Sequence, residues 1–315
     1  MNIWVAIFLF AVGLVFIVKG GDFFVDAASW IAEVSGVPKF IVGATVVSIA
    51  TTLPEMIVSI IAASKGSVDM AVGNAVGSVT ANTGLILGIS LIFMAGVAKR
   101  KNYLLKSAML IASAAVLYLA SSAGSLKIWG SVILLIIFVM FMAENVHSAI
   151  LERGSGKKEV RPPHDGRTIT INILKFVFGA AGIVWGSDLM VDNATIIAKS
   201  LGVSEGVIAV TIVAVGTSLP ELVTTLTSIA KKQASLSVGN IIGANVIDLT
   251  LIMPLCSVIS GKELPISRQG FMLDMPVCLL VTLVALVPML VREKFTKLQG
   301  WLLLALYAIY IIMVI

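Results

Sequence analysis

The chain repeats itself at one fixed offset. GGDFFVDAA at 20–28 returns as GSDLMVDNA at 186–194, which sets Asp22 and Asp26 against Asp188 and Asp192. GATVVSIATTLPEM at 43–56 returns as AVTIVAVGTSLPEL at 209–222, so Thr51, Leu53, Pro54 and Glu55 match Thr217, Leu219, Pro220 and Glu221. GNAVGSVTAN at 73–82 returns as GNIIGANVID at 239–248, so Gly73, Asn74 and Gly77 match Gly239, Asn240 and Gly243. Every pair is 166 positions apart, without a gap, over about 60 residues of each half. Two copies of one structural unit follow from such a match.

What each copy contains is set by apolar runs. Hydrophobic residues make up 58% of the 315 and charged residues 12%, against roughly 25% charged in a soluble domain. That excludes a soluble globular enzyme, a disordered chain and a nucleic-acid binder. A membrane span needs about 20 mostly apolar residues. The windows 3–19, 40–64, 70–98, 103–124, 128–148, 169–187, 206–230, 236–260, 271–291 and 298–315 qualify. MNIWVAIFLF lacks a basic leader and a small-residue cleavage site, so it reads as the first span. Segments 20–39 and 186–205 extend the first and sixth helices along the interface. Cys256 and Cys278 sit in apolar runs and read as small buried hydrophobes.

Ten windows give five per half, and an odd count makes the second copy enter from the opposite side. The expected fold is an all-α integral membrane protein with two inverted five-helix repeats. Helices 2, 3, 7 and 8 are expected to be broken around a midplane cation site. Residues 1–148 form the first repeat, 149–168 a cytoplasmic linker and 169–315 the second repeat. With both termini outside, 17 of the 22 Lys and Arg residues fall on inside segments, the bias that a cell-membrane protein of that orientation carries.

Two carboxylates fall mid-span, Glu55 and Glu221. Insertion at that depth costs about 3 kcal/mol or more, and no Lys or Arg lies centrally in spans 2, 3, 7 or 8. A bound cation is the simplest compensation. Pro54 and Pro220 lack an N–H and interrupt each helix beside its Glu. That frees carbonyls near Ser48, Ala50, Ala214 and Gly216, flanked by the hydroxyls of Thr51, Thr52, Thr217 and Ser218. One turn past each GNxxG stand Ser78 and Asn82, and Asn245 and Asp248. Hard oxygen donors of mixed type suit Ca2+ or Na+, while Zn2+ or Cu+ would want nitrogen or sulfur. Asn74, Asn240 and Asn245 read as helix–helix hydrogen-bonding residues. Asp22, Asp26, Asp188 and Asp192 read as capping or solvated groups. Glu144 and Asp274, near span ends, are expected to reach water, as are His147 and His164.

These motifs resemble the two α-repeats of the cation/Ca2+ exchanger superfamily, nearest its prokaryotic sodium/calcium exchanger branch. The resemblance covers the ten-helix layout and all four motif segments. It implies an antiporter with one Ca2+ site and adjacent Na+ sites. Glu55, Glu221, Thr51 and Thr217 correspond to the Ca2+ site. Ser48, Ser78, Ala214, Ser218, Asn82 and Asp248 correspond to the surrounding sites, Ser48 and Ala214 through backbone carbonyls. Ala244 stands where the family often has Ser, which removes one hydroxyl of an outward-side Na+ site. ATT at 50–52 replaces the commoner GTS and keeps both hydroxyls. The Asn82/Asp248 asymmetry is shared with prokaryotic and potassium-dependent branches.

The expected activity is Ca2+ exchange against Na+ by alternating access. Proton-coupled or K+-dependent exchange is the runner-up, because a carboxylate binds H+ and Na+ alike. A cation channel could also ring a pore with Glu, but needs no inverted repeat. A membrane enzyme would need a general base or nucleophile pair, and no His or Cys lies near the motifs; an ATP-driven pump would need a phosphate loop, which the chain lacks. No organic cofactor is expected, and the partners are Ca2+, Na+ and the lipid bilayer, with the chain acting as a monomer.

Overall fold

The computed structural model describes residues 2–94, 96–98, 100–154, 165–201, 216, 218–261 and 263–314. The helices are α1 (Ile3–Ser35), α2 (Lys39–Ser64), α3 (Val68–Phe93), α4 (Arg100–Ala120), α5 (Ile128–Gly154), α6 (Gly166–Ser200), α7 (Leu219–Ala230), α8 (Ala234–Ile259), α9 (Gly270–Arg292) and α10 (Lys297–Val314). Among the described residues, all of these except α7 are long and apolar enough to cross a membrane. The first part of the expected window 206–230 lies outside the described residues. α5 runs on to Gly154 and α6 starts at Gly166, so the two ends of the expected linker 149–168 are helical.

α1 and α6 are far longer than a span needs. Their 33 and 35 residues reach roughly 50 Å at 1.5 Å per residue. The interfacial stretches expected at 20–39 and 186–205 are therefore continuous with the spans, up to Ser35 and Ser200. α1 is capped by Asn2, whose side chain accepts the Trp4 N–H at 3.1 Å. It stops at Gly36, whose φ of 70° is the left-handed conformation that glycine adopts freely.

Contacts divide the chain into two compact units, and neither is a sequence half. One comprises residues 1–51, 147–240 and 311–315, the other 52–146 and 241–310. The first is built on an antiparallel glycine seam between α1 and α6. A methyl group at Gly13 would lie 2.8 Å from the Gly186 carbonyl oxygen, and one at Gly20 2.8 Å from that of Gly179. Side chains are excluded there, and the two backbones touch. Phe24 packs on Phe176 at 4.7 Å between ring centroids, within a core that includes Ile17, Ile183, Val42 and Val223.

The second unit centres on α3, against which α9 and the middle of α8 pack. Two short antiparallel clasps join its loops. β1 (Gly96–Val97) pairs with β4 (Lys294–Phe295), and β2 (Ser125–Leu126) with β3 (Leu264–Pro265). Tyr118 of α4 stacks on Phe271 of α9 at 4.9 Å.

The helix breaks expected near the motifs take another form. α2, α3 and α8 stay continuous and widen into π-helical turns at Gly43–Val47, Asn82–Leu87 and Asp248–Ile252. Pro54 lies inside a regular helix, Ser48–Ser64. One extra residue per turn shifts the hydrogen-bond ladder and leaves carbonyls underused without ending the helix. The π turn of α2 ends at Val47, seven residues before the proline. α7 differs: Pro220 lies in its first turn, where the missing N–H costs nothing. α9 carries a fourth π turn, Gly270–Asp274.

Candidate functional site

In the first unit, the start of α8 lies against the π turn of α2. A side chain at Gly43 would strike the Leu236 carbonyl, and one at Gly239 the Phe40 carbonyl. This is the close approach expected of GNxxG, realised at Gly239; Gly73 and Gly77 have nothing within 4 Å. The approach brings Thr51 to Asn240. The Thr51 hydroxyl lies 3.2 Å from Asn240 Oδ1 and 3.4 Å from the Ser48 carbonyl. Thr51 and the Ser48 carbonyl, both sequence candidates, are therefore adjacent.

Glu221 belongs to the same unit and sits in the first turn of α7, with no exposed surface. A carboxylate there meets the positive end of the helix dipole, which offsets part of its burial cost. Ser218 caps this helix start and is itself buried; its hydroxyl makes no hydrogen bond among the described residues. Ala214 and Thr217 lie outside the described residues.

The second unit holds Thr52, Glu55, Ser78, Asn82 and Asp248, each no more than 2% exposed. Asn74 donates from Nδ2 to the Glu55 carbonyl at 3.2 Å and to Ser59 Oγ at 2.9 Å, tying α3 to α2 beside the glutamate. Asn245 donates to Thr83 Oγ1 at 2.8 Å and ties α8 to α3. Asn74, Asn240 and Asn245 thus all take the helix–helix role read from sequence. The side-chain polar atoms of Thr52, Ser78 and Asn82 make no hydrogen bond among the described residues. Buried amides and hydroxyls are ordinarily paired, so these oxygens suit a shell of neutral ligands around a hard cation.

Asn82 and Asp248, repeat-equivalent, each form the first residue of a π turn. Sequence reasoning found both residues and missed the turns. Among the described residues, no group of three or more His, Cys, Asp or Glu side chains is placed to hold a metal ion. Hydroxyl, amide and carbonyl oxygens must then make up most of any shell.

Four acidic residues make contacts that the sequence did not indicate. Asp22 and Asp26 pair with Lys231, whose Nζ stands 3.3 and 2.7 Å from their carboxylates. Glu144 does not simply reach water: Lys106, 4% exposed, lies 3.7 Å away. Asp274 is buried and accepts the Tyr310 hydroxyl at 3.1 Å.

Nine long apolar helices among the described residues, with carboxylates buried in them, define a multi-pass membrane protein of the cation-transporter class. The family model described as "Sodium/calcium exchanger protein" matches residues 5–145 and 171–315, and the chain belongs to that family. It is 32% identical over 96% of its length to an uncharacterized membrane protein of Methanocaldococcus jannaschii, covering 95% of that protein. It is 28% identical to the sodium/calcium exchanger MaX1 of Methanosarcina acetivorans, over 95% of each. A solved structure of the sodium-calcium exchanger NCX_Mj, soaked with Na+ and Sr2+, superposes with a TM-score of 0.84 at 30% identity, covering 99% of both chains.

Proposed function

We propose that this chain exports Ca2+ across the cell membrane in exchange for Na+, by alternating access, and that Glu55 and Glu221 are its carboxylate ligands. The observation that carries this reading is that both glutamates, at repeat-equivalent positions, have 0% exposure within apolar helices. A charge so placed is functional by default. Thr51, Thr52, Thr217, Ser78, Ser218, Asn82 and Asp248 add side-chain oxygens, and Ser48 and Ala214 add backbone carbonyls. Support comes from relatives named sodium/calcium exchangers over nearly the whole chain.

The halves act as inverted repeats that exchange roles, with both termini outside. The seam pairs of α1 and α6 support the inversion, because the 166 offset converts Gly13–Gly186 into Gly179–Gly20. Two copies related in this way can open the same ligands alternately to each face.

Glu55→Gln and Glu221→Gln test the ligand assignment. Each removes an anionic oxygen pair that Ca2+ requires at constant volume. Both variants are expected to reach the membrane folded and to lose Ca2+ flux at least a hundredfold in proteoliposomes. Near-normal flux in both would remove the assignment.

A further inference from the structure

α7 carries a polar face that the ligand set does not use. Thr224, Thr225 and Ser228 follow Glu221 at three, four and seven positions, so all share one face of the helix. Each is 0% exposed, and no hydroxyl among the three makes a hydrogen bond among the described residues. Ser237 of α8, in the same unit, is buried and unbonded in the same way. Some helical hydroxyls return to the carbonyl four residues back, as Thr80 does to Val76, Ser113 to Met109, Ser187 to Ile183 and Thr282 to Cys278, all within 2.9 Å. Single buried hydroxyls elsewhere, such as those of Ser90, Ser107 and Ser131, make no such bond; α7 sets three of them on one face.

The first repeat lacks this face. The positions equivalent to Thr224, Thr225, Ser228 and Ser237 are Val58, Ser59, Ala62 and Ala71. Its single hydroxyl, Ser59, accepts from Asn74 and points to the Ala71 carbonyl. From Glu221 to Lys231 is ten residues, about 15 Å of helix, or half of a roughly 30 Å hydrocarbon core. At its far end, Lys231 is clamped to Asp22 and Asp26 of α1.

We propose that Thr224, Thr225 and Ser228, with Ser237, form a one-sided Na+ track that leads from the Lys231 face to Glu221. Neutral hydroxyls replace part of the water around a monovalent cation. They carry no charge to offset dehydration of a divalent one, so the track favours Na+ over Ca2+. The inference rests on the exchanger reading, and it adds an asymmetry that the repeats do not predict.

The test titrates radioactive Na+ uptake from each face of proteoliposomes of defined orientation. Thr224→Val with Ser228→Ala is expected to raise half-saturating Na+ about tenfold on the Lys231 face, the scale of one lost bond to a charged group, and to leave the opposite face unchanged. Thr224→Ser keeps its hydroxyl and stays at the wild-type value. Val58→Thr with Ala62→Ser builds the missing face and should lower half-saturation on the opposite side. An equal shift on both faces, no shift on the Lys231 face, or no Na+ uptake by the wild type overturns the track. A one-sided shift in a protein whose Na+ flux never drives Ca2+ would keep the track and remove the exchange reading.

Discussion

Gly13 and Gly186 meet backbone to backbone, and the repeat offset carries this contact onto Gly179 and Gly20. Ile17 and Ile183, the buried residues inside the seam, are also 166 apart. The antiparallel pair therefore looks the same when the halves are exchanged.

Equivalent glycines should then respond alike. A methyl group at Gly20 would meet Gly179 O at 2.8 Å, and one at Gly186 would meet Gly13 O at 2.7 Å. Gly20→Ala and Gly186→Ala are each expected to destabilise by about 1–3 kcal/mol, as overpacked sites do. Gly73→Ala, with nothing within 4 Å, should be neutral or gain up to about 1 kcal/mol from helix propensity. Unfolding midpoints in detergent compare the three. A large loss at Gly73 with none at the seam would refute the packing account.

Buried Lys106 of α4 pairs with the partly exposed Glu144 of α5. Lys106→Met alone removes that cation and is expected to cost about 1 kcal/mol, since the carboxylate keeps access to water. Adding Glu144→Met should recover most of that loss. Double-mutant thermal unfolding reads the coupling; strictly additive losses would show that the pair is not the reason Lys106 is tolerated.

The repeat, the spans and the mid-span glutamates were legible in the sequence because each is local: an apolar run or a fixed spacing. What escaped depends on partners brought from afar. Glu144 sits near a span end, yet Lys106 reaches it from the neighbouring helix. Asp274 meets Tyr310 from the last helix. Pro54 signalled irregular backbone, yet it lies inside regular helix. The irregular turn of α2 stands upstream at Gly43–Val47, where Gly43 lies against Leu236 of α8.

Outside the membrane, Glu263 accepts from Lys127 Nζ at 2.6 Å and from Ser125 Oγ at 2.8 Å, beside the β2–β3 clasp. Those two bonds, and the Lys127 charge, hold its carboxyl below the usual range. A lowered folded pKa gives stability that is present above the unfolded value of about 4.3 and is lost as pH falls through the folded one. Glu263→Gln should therefore lower the unfolding midpoint slightly at neutral pH, with the gap to wild type closing in acid. A gap that widens in acid would contradict the sign.

The central claim is that Na+ entry drives Ca2+ movement through this chain. Purified protein in sealed proteoliposomes, loaded with Na+, K+ or acid in turn and diluted into radioactive Ca2+ without that ion, measures it directly. The account predicts Ca2+ accumulation above equilibrium with the outward Na+ gradient alone, and none in the Glu221→Gln variant. Accumulation driven by the proton or K+ gradient in the absence of Na+, or Ca2+ that merely equilibrates under all three, would contradict it.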